Sequence, residues 1–470
     1  MVEVNLASAT IDLHTFTDLE NKIYGDSDTA ISYFKKEFPK VLWFQLIDIL
    51  IRPSNSSPNF GTNVTYTISR SADLLMNLRF HVTLPKIKIK DDDGIYHNAY
   101  VRWSKNLLHN LFKKISFIIQ DQPFEELTPE ILDVNQQFNI PECKRKKYDE
   151  MIGNIGCLIS DKKNKYDVVQ HDGTLILDLP FWFNKKNANK YPIGSAPFSE
   201  HKLQVEIEDF YKLITIYPGE KTQNDLTGVR GATIRDIVDA DTNSTPNINI
   251  ELRSEYAILN PEEAIQLSST SQDIVINVWE MLDPEPFNES NLKIKVNPKG
   301  SVKMVVACTK NVSLYKTCQG IFGDDKSNYN CQLFSKGENT LEKLALYYDN
   351  YIRISGPSEM FNYYIPNKRI PEIGNIETGF YSLIWALKPM DSDPSGSTNL
   401  SVIRIAELKC TPSKEILNAW KGETLTKDKI VYPNENGVLV EMKQQHELVL
   451  VALTTQIITI NDGVARILFF

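Results

Sequence analysis

The sequence predicts an all-β protein made of two consecutive β series, with short helices confined to the connections. Three observations carry this. Many short stretches rich in Val, Ile, Tyr and Phe alternate at period two. Clusters of Pro, Gly, Asn and Asp separate them at short intervals, as in sandwiches and barrels. The 470 residues are too many for one core, and the strand signals restart after about residue 264, which makes two series of about 200 residues each.

Residues 1–40 read as an arm, polar and broken at Gly25, Asp26, Ser27 and Asp28. Val41–Ile51 is the first strand candidate. Asn63–Ser69 alternates, and so does Leu74–Leu84, with Leu78, Phe80 and Val82 on one parity. Asp91, Asp92, Asp93 and Gly94 form a polar loop tip. Thr128, Pro129 and Glu130 read as N-cap, N1 and N2 of a helix, and a second helix follows Pro141. Leu175–Asn184 reads as a strand. In the stretch Ser195–Ile207, Leu203, Val205 and Ile207 alternate with polar neighbours, as a half-buried strand requires. Residues 217–247 read as a long excursion outside the core. Ile248–Leu259 is a strand, and Asn260-Pro261 opens a short helix.

Residues 264–274 read as the joint between the series. Ile274–Trp279, Leu292–Val296, Val302–Ala307 and Lys343–Tyr348 continue the strand pattern and lead into Tyr351–Arg353 and Tyr363–Pro366. Tyr381–Leu387 is aromatic and β-branched enough for a buried strand; Pro389 and Asp393-Pro-Ser-Gly396 turn the chain, and Val402–Ile405 resumes the strand. Glu447–Ile460 and Ala465–Phe470 end the chain on strands.

Several of these segments, in this order, closely resemble the major capsid proteins of the nucleocytoplasmic large DNA viruses, a family with iridovirus, phycodnavirus, asfarvirus and mimivirus branches. The most specific are Ala386-Leu387-Lys388-Pro389 and Pro394-Ser-Gly-Ser-Thr-Asn399-Leu-Ser401. Tyr100-Val-Arg-Trp103 with His109 and the strand Lys114–Gln122 is a second match, and Leu175–Asn184 with Ser195–Ile207 a third. Tyr24–Phe38 is similar to the family's N-terminal segment without its basic cluster, and Phe138–Gly153 resembles the asfarvirus branch. The resemblance runs from about Tyr24 to Phe470 and rests on order and spacing together.

The resemblance implies a double jelly roll: an arm over 1–40, a first eight-stranded barrel over 41–263 and a second over 264–470. It implies a homotrimer whose six barrels make a pseudo-hexagonal capsomer. Capsomers would tile an icosahedral shell with minor capsid and penton proteins, over an internal membrane, in virions assembled in the host cytoplasm. The arm would clamp subunits together or line the inner face. A related double jelly roll that scaffolds immature virions and is later shed is the alternative within the fold. A glycan-binding or hydrolytic jelly-roll protein is the alternative from another class; it needs a carboxylate pair or an aromatic platform, and no such constellation is legible in the sequence.

Bulk chemistry agrees with a structural role. A net charge of −9 argues against general nucleic-acid binding, which needs basic surface. Cys143, Cys157, Cys308, Cys318, Cys331 and Cys410 form no C-x-x-C pair and read as free thiols of a reducing compartment. The N-terminus carries no secretory pattern, and Val41–Ile51 is too short to span a bilayer. Sequons at Asn55, Asn63, Asn243, Asn288, Asn311 and Asn399 therefore read as chance matches in an Asn-rich chain.

No catalytic, cofactor-binding or metal residue is assigned. The histidines at 14, 81, 97, 109, 171, 201 and 446 include no His-x-His pair, and His109 is singled out only through the family's structural histidine. Asp391–Gly396 imitates the start of an EF-hand, but position twelve is Val402. Lys144–Lys147 reads as a solvated helix face and Asp91–Asp93 as an exposed tip. Trp182, Phe183 and Trp385 lie in apparent strand runs and read as core.

Overall fold

The computed structural model describes residues 42–89, 99–155, 158, 171, 173–185, 190–218, 237–288, 290, 292–313, 326–331, 339–422, 431–433, 439–441 and 443–468. The arm over 1–40, the Asp91–Asp93 tip, His14, His97, Cys157 and Cys318 lie outside them.

Sixteen strands build the two barrels. The first uses β1 (Gln45–Ile51), β2 (Asn63–Thr67), β3 (Leu74–Thr83), β4 (Phe112–Ile119), β5 (Gln122–Leu127), β6 (Leu175–Asp178), β7 (His201–Ile207) and β8 (Asn249–Ile258). The second uses β9 (Gln272–Met281), β10 (Leu292–Lys295), β11 (Ser301–Asn311), β12 (Leu341–Tyr348), β13 (Tyr351–Pro357), β14 (Phe380–Ile384), β15 (Ala406–Pro412) and β16 (His446–Asn461). The first barrel pairs them as β1-β8-β3-β6 and β2-β7-β4-β5. The second pairs them as β9-β16-β11-β14 and β10-β15-β12-β13. Adding eight to each number of the first barrel gives the second. This order, antiparallel throughout, is the jelly roll, and it occurs twice.

The repeat extends to the tightest turn. Ile119 pairs with Gln122, and Tyr348 with Tyr351. Gln120 and Asp121 in one hairpin, Asp349 and Asn350 in the other, all have positive φ. A two-residue loop that follows the strand twist demands this, and Asp and Asn tolerate it best among residues with side chains.

In each barrel four connections leave one end. In the first they are 52–62, 84–111, 128–174 and 208–248; in the second 282–291, 312–340, 358–379 and 413–445. They carry the helices α1 (Leu107–Leu111), α2 (Pro129–Asn139) and α3 (Glu142–Ile152). The opposite end, here called the base, has the hairpins and α4 (Pro261–Ser269), the helix between the barrels. The Asn260 side chain caps α4 by accepting from the Glu262 N–H at 3.2 Å. Helix α5 (Ile365–Arg369) and helix α6 (Lys414–Lys421) lie in the last two loop-end connections of the second barrel.

One core fills the first barrel and continues onto the outer face of the second barrel's β9-β16-β11-β14 sheet, through Ile276, Met304, Val306, Cys308, Val451 and Leu453. The other face of that sheet, with Val305, Ala307, Leu450 and Ala452, closes the second barrel's own core. That sheet is buried on both sides.

Four expectations need correction. Leu175–Asn184 is a strand only to Asp178: Pro180 cannot donate to a ladder, and Trp182–Asn184 form a 3-10 turn. Trp182 and Phe183 are nonetheless core. Trp385 lies just past β14, half-buried, where its backbone N–H donates to the Lys303 carbonyl at 3.0 Å. Val402–Ile405 does not resume a strand: the Asn399 side chain accepts from Ser401 N, the Ile403 N–H bonds Leu400 O, and Val402 is 78% exposed. Tyr363–Pro366 belongs to a helical stretch.

Candidate functional site

Two surfaces stand out: the seam between the barrels at their loop ends, and the base.

The seam is polar and buried. Asp133 of α2, 2% exposed, is its centre. One carboxylate oxygen meets His109 Nδ1 at 2.6 Å and accepts from Asn106 Nδ2 at 2.8 Å. The other accepts from Ser327 Oγ and Tyr329 Oη, both at 2.8 Å, across the seam. His109 is held at its other nitrogen by Tyr148 Oη at 3.0 Å, and Asn110 Nδ2 donates to Ser327 Oγ. Burial alone would raise the Asp133 carboxyl, but the bonds from His109, Tyr329 and Ser327 outweigh it and hold it below its ordinary value. Lys310–Glu130 at 2.6 Å, Lys105–Glu377 at 2.9 Å and Lys326–Glu208 add charge pairs across the same line. Arg145 belongs here too. Lys144, Lys146 and Lys147 are solvent-exposed, but the Arg145 guanidinium turns inward and donates to Gln137 O and to Asn375 O of the second barrel. Gly379 lets the chain pass: its φ is +98°, and a Cβ there would collide with Tyr329 O.

At the base the barrels touch again. Phe198 N donates to Gly463 O at 3.0 Å, and Ala465 N to Ser199 Oγ at 2.9 Å. Loop ends therefore share one side and bases the other. The base exposes large apolar side chains, Phe198 at 76%, Ile265 at 67%, Tyr351 at 80%, Leu387 at 62% and Val402 at 78%, while the loop end exposes Tyr363 and Tyr364. Leu46, Ile258, Ile352 and Ile405 add to the base. The Pro394–Ser401 signature is part of this base. Ser395 O accepts from Leu387 N, Ser301 Oγ bonds Ser397 Oγ, Gly396 takes φ +112°, and Thr398 and Asn399 pair with Val302 and Ser301.

The remaining candidates are structural. Among the described residues no group of three or more His, Cys, Asp or Glu lies together as a metal site. The EF-hand-like Asp391–Asp393 loop already holds a cation, the Lys303 ammonium, which donates to Asp391 O at 2.9 Å and Asp393 O at 3.3 Å. His201 bonds Tyr191 Oη at 2.6 Å, and burial pushes it down to about 4. Asn311, 3% exposed and bonded to Gln444, offers no accessible sequon. Cys143, Cys308 and Cys410 are free thiols, and the Cys331 thiol donates to Glu415 Oε2 at 3.1 Å.

Two family profiles cover the chain in series. "Major capsid protein N-terminus" matches residues 32–258, and "Large eukaryotic DNA virus major capsid protein" matches residues 263–466. The chain belongs to the major capsid proteins of large eukaryotic DNA viruses. Among named relatives, the major capsid protein of Lymphocystis disease virus 1 is 27% identical over 442 residues, covering 89% of this chain and 90% of its own. That of Frog virus 3 is 26% identical over 480 residues, covering 97% of each. Among solved structures, the Faustovirus major capsid protein aligns with a TM-score of 0.67 at 12% identity, over 95% of this chain and 94% of its own. The PBCV-1 virus capsid chain aligns at 0.66 with 15% identity, over 93% and 100%. At such identities these two speak for the fold, which is the double jelly roll read from the strand order. The seam residues of this capsid chain lie mostly outside the reach of sequence reasoning: His109 stands in a recognisable segment, whereas Asp133, Ser327 and Tyr329 carry no motif.

Proposed function

We propose that this capsid chain builds the shell as a homotrimer. Three copies bring six barrels into a pseudo-hexagonal capsomer, and capsomers tile an icosahedral lattice with minor capsid and penton proteins. In this reading 41–263 and 264–470 are the two barrel domains and 1–40 the arm that clamps subunits or lines the inner face. The single observation that supports it best is the polarity of the barrel pair. Loops gather on one end, while exposed Phe198, Ile265, Tyr351, Leu387 and Val402 gather at the base. An apolar end of this kind is a contact surface in a monomer-to-lattice assembly. The base is the inward face, toward minor capsid proteins and an internal membrane, and the shell is assembled in the host cytoplasm. The work is done by shape and interfaces, with no reaction chemistry.

Light scattering on the purified chain tests the trimer: a mass three times that of the monomer is expected, and a monomer at all concentrations overturns it. Quantitative mass spectrometry of mature particles tests the shell. The most abundant protein by copy number must be this chain. Abundance in immature particles alone would make it a shed scaffold.

A further inference from the structure

The two barrels repeat one another down to a packing edge and a packed sheet, but within one chain each is used only once. In the first barrel the edge is β5 with the connection after it. β5 and the Trp182–Asn184 turn lie against β9, and α2 lies against β9 and β16. Phe124 of β5 shares a groove with Ile458 and Ala465, and nine of the eleven α2 residues are buried.

The second barrel has the same edge. β12 pairs with β13 past a skipped third residue, Arg353, as β4 pairs with β5 past Phe124. Here the edge is uncovered. Among the described residues β13 pairs with β12 alone, and none of its seven residues is buried. In the connection after it, Tyr363 and Tyr364 are 60% and 59% exposed. The matching sheet is uncovered in the first barrel. The outer face of β9-β16-β11-β14 receives the first barrel, whereas the equivalent face of β1-β8-β3-β6 is open. Pairing places Asp48 opposite Glu255, Leu50 opposite Arg253 and Arg79 opposite Asp178 on that face. Leu46 and Leu50 are exposed along its edge strand. Carboxylates outnumber guanidiniums among these side chains, whereas β13 and α5 carry Arg353, Lys368 and Arg369 and no acid.

We infer that β13 and the stretch 358–369 of one copy pack on the outer face of β1-β8-β3-β6 of a second copy, repeating between chains the packing of β5 and α2 within a chain. The inference rests on the homotrimer reading and names its interface. The second copy is the occupant because both unused halves lie on one chain, and the used halves already show how they fit. A head-to-tail contact closes into a ring when its rotation divides a full turn, and one packing used within and between three chains gives a ring of six barrels. The chemistry of the two contacts differs for a physical reason. The inner one is apolar because it forms with the fold. The outer one is mixed and charged because each chain is soluble before it meets the next.

Hydroxyl-radical footprinting of the purified full-length trimer, read by mass spectrometry, tests this. Tyr363, Tyr364 and Leu50 should label several-fold more slowly than their exposure in one chain allows, with Phe198 of the base as the freely labelled reference. Arg353→Glu and Leu50→Lys change exposed side chains and should leave the fold intact by circular dichroism. Each should raise the concentration at which the trimer half-dissociates, followed by light scattering, by on the order of tenfold. A monomeric wild type would remove the trimer reading, and this inference with it. A trimer that labels freely at these three residues, or that dissociates unchanged in both variants, leaves the trimer standing and overturns the interface. Protection seen only in whole particles would assign the two surfaces to another partner and overturn it as well.

Discussion

Strands β3 and β11 hold the same place in the two barrels, third in chain order and flanked by equivalent neighbours, yet their compositions differ. In β3, inward Leu78, Phe80 and Val82 alternate with outward Asn77, Arg79 and His81. The outward residues sit in a charged face, with Arg79 bonded to Asp48 at 2.7 Å and Arg253 paired with Asp48 at 3.6 Å. In β11 the run Val302–Thr309 is buried without interruption. The first barrel presents that sheet to solvent; the second lays it against the first barrel. Position in the pair, not the jelly roll itself, decides the pattern. The same contrast separates β8, half-buried along its length, from β16, which is buried from Leu448 to Thr454.

A charge placed on β11 should have the largest effect. Val306→Asp puts an unpaired carboxylate into the inter-barrel core and should abolish cooperative folding, seen as loss of soluble protein and of a denaturation transition. A charge already occupies the equivalent face of β3. Next in size is Asp133→Ala. Removing the acceptor at the hub leaves the buried donors of Asn106, Ser327 and Tyr329 without it, at about 1–3 kcal/mol for each left unsatisfied. Because the network spans the seam, calorimetry should show one transition splitting into two, the barrels melting separately. A single, merely lowered transition would mean that the apolar sheet alone couples them. Gly379→Ala is expected to cost about 1–3 kcal/mol through its positive φ, and more if Tyr329 cannot move. Gly396→Ala should cost less, because φ is also positive there but the neighbouring atoms leave room for a Cβ.

A fourth prediction uses pH. Glu125 of β5 is 2% exposed at the inter-barrel face. Burial pushes its carboxyl up to about 8, opposed in part by Lys185 and by the backbone at Trp182 and Trp279. A raised carboxyl holds its proton in the folded chain after the unfolded chain has lost it, so its contribution to stability falls as pH rises from 4.5 through about 8. Lys185, pushed down to about 8 by burial, acts oppositely: its contribution rises between about 8 and 10.5. Glu125→Gln should flatten the decline in melting temperature between pH 4.5 and 8, and an unchanged slope would reject the assignment. The smallest effect is on the solvated face of the first barrel. Arg79→Ala there removes a partly exposed pair and should cost under about 1 kcal/mol by denaturation.

Much of the fold was legible. Alternation located most of the barrel strands, or parts of them, because a half-buried strand must repeat at period two. Thr128-Pro129 and Asn260-Pro261 marked helix starts where local chemistry suffices. β5, with Pro123 and three carboxyl or amide side chains, and β15 did not announce themselves. Uninterrupted apolar runs, Met304–Cys308 and Leu448–Leu453, are a legible sign of a two-sided sheet that alternation alone does not use. The seam and the contacts of Trp420 at the loop end were not legible. Asp133 meets Tyr329, and Phe287 meets Trp420, across long stretches of chain, while Trp420 meets His446 only through the fold of the loop end.

That this chain is all-β and doubled follows from its residues in order, because strand periodicity and turn chemistry are local properties, and its capsid family follows from the resemblance carried by segments such as Pro394–Ser401. Packing had to settle which sheet is buried twice and which carboxylate anchors the seam. Those facts depend on which surfaces meet, and burial and hydrogen-bond satisfaction are properties of the meeting, not of either strand alone.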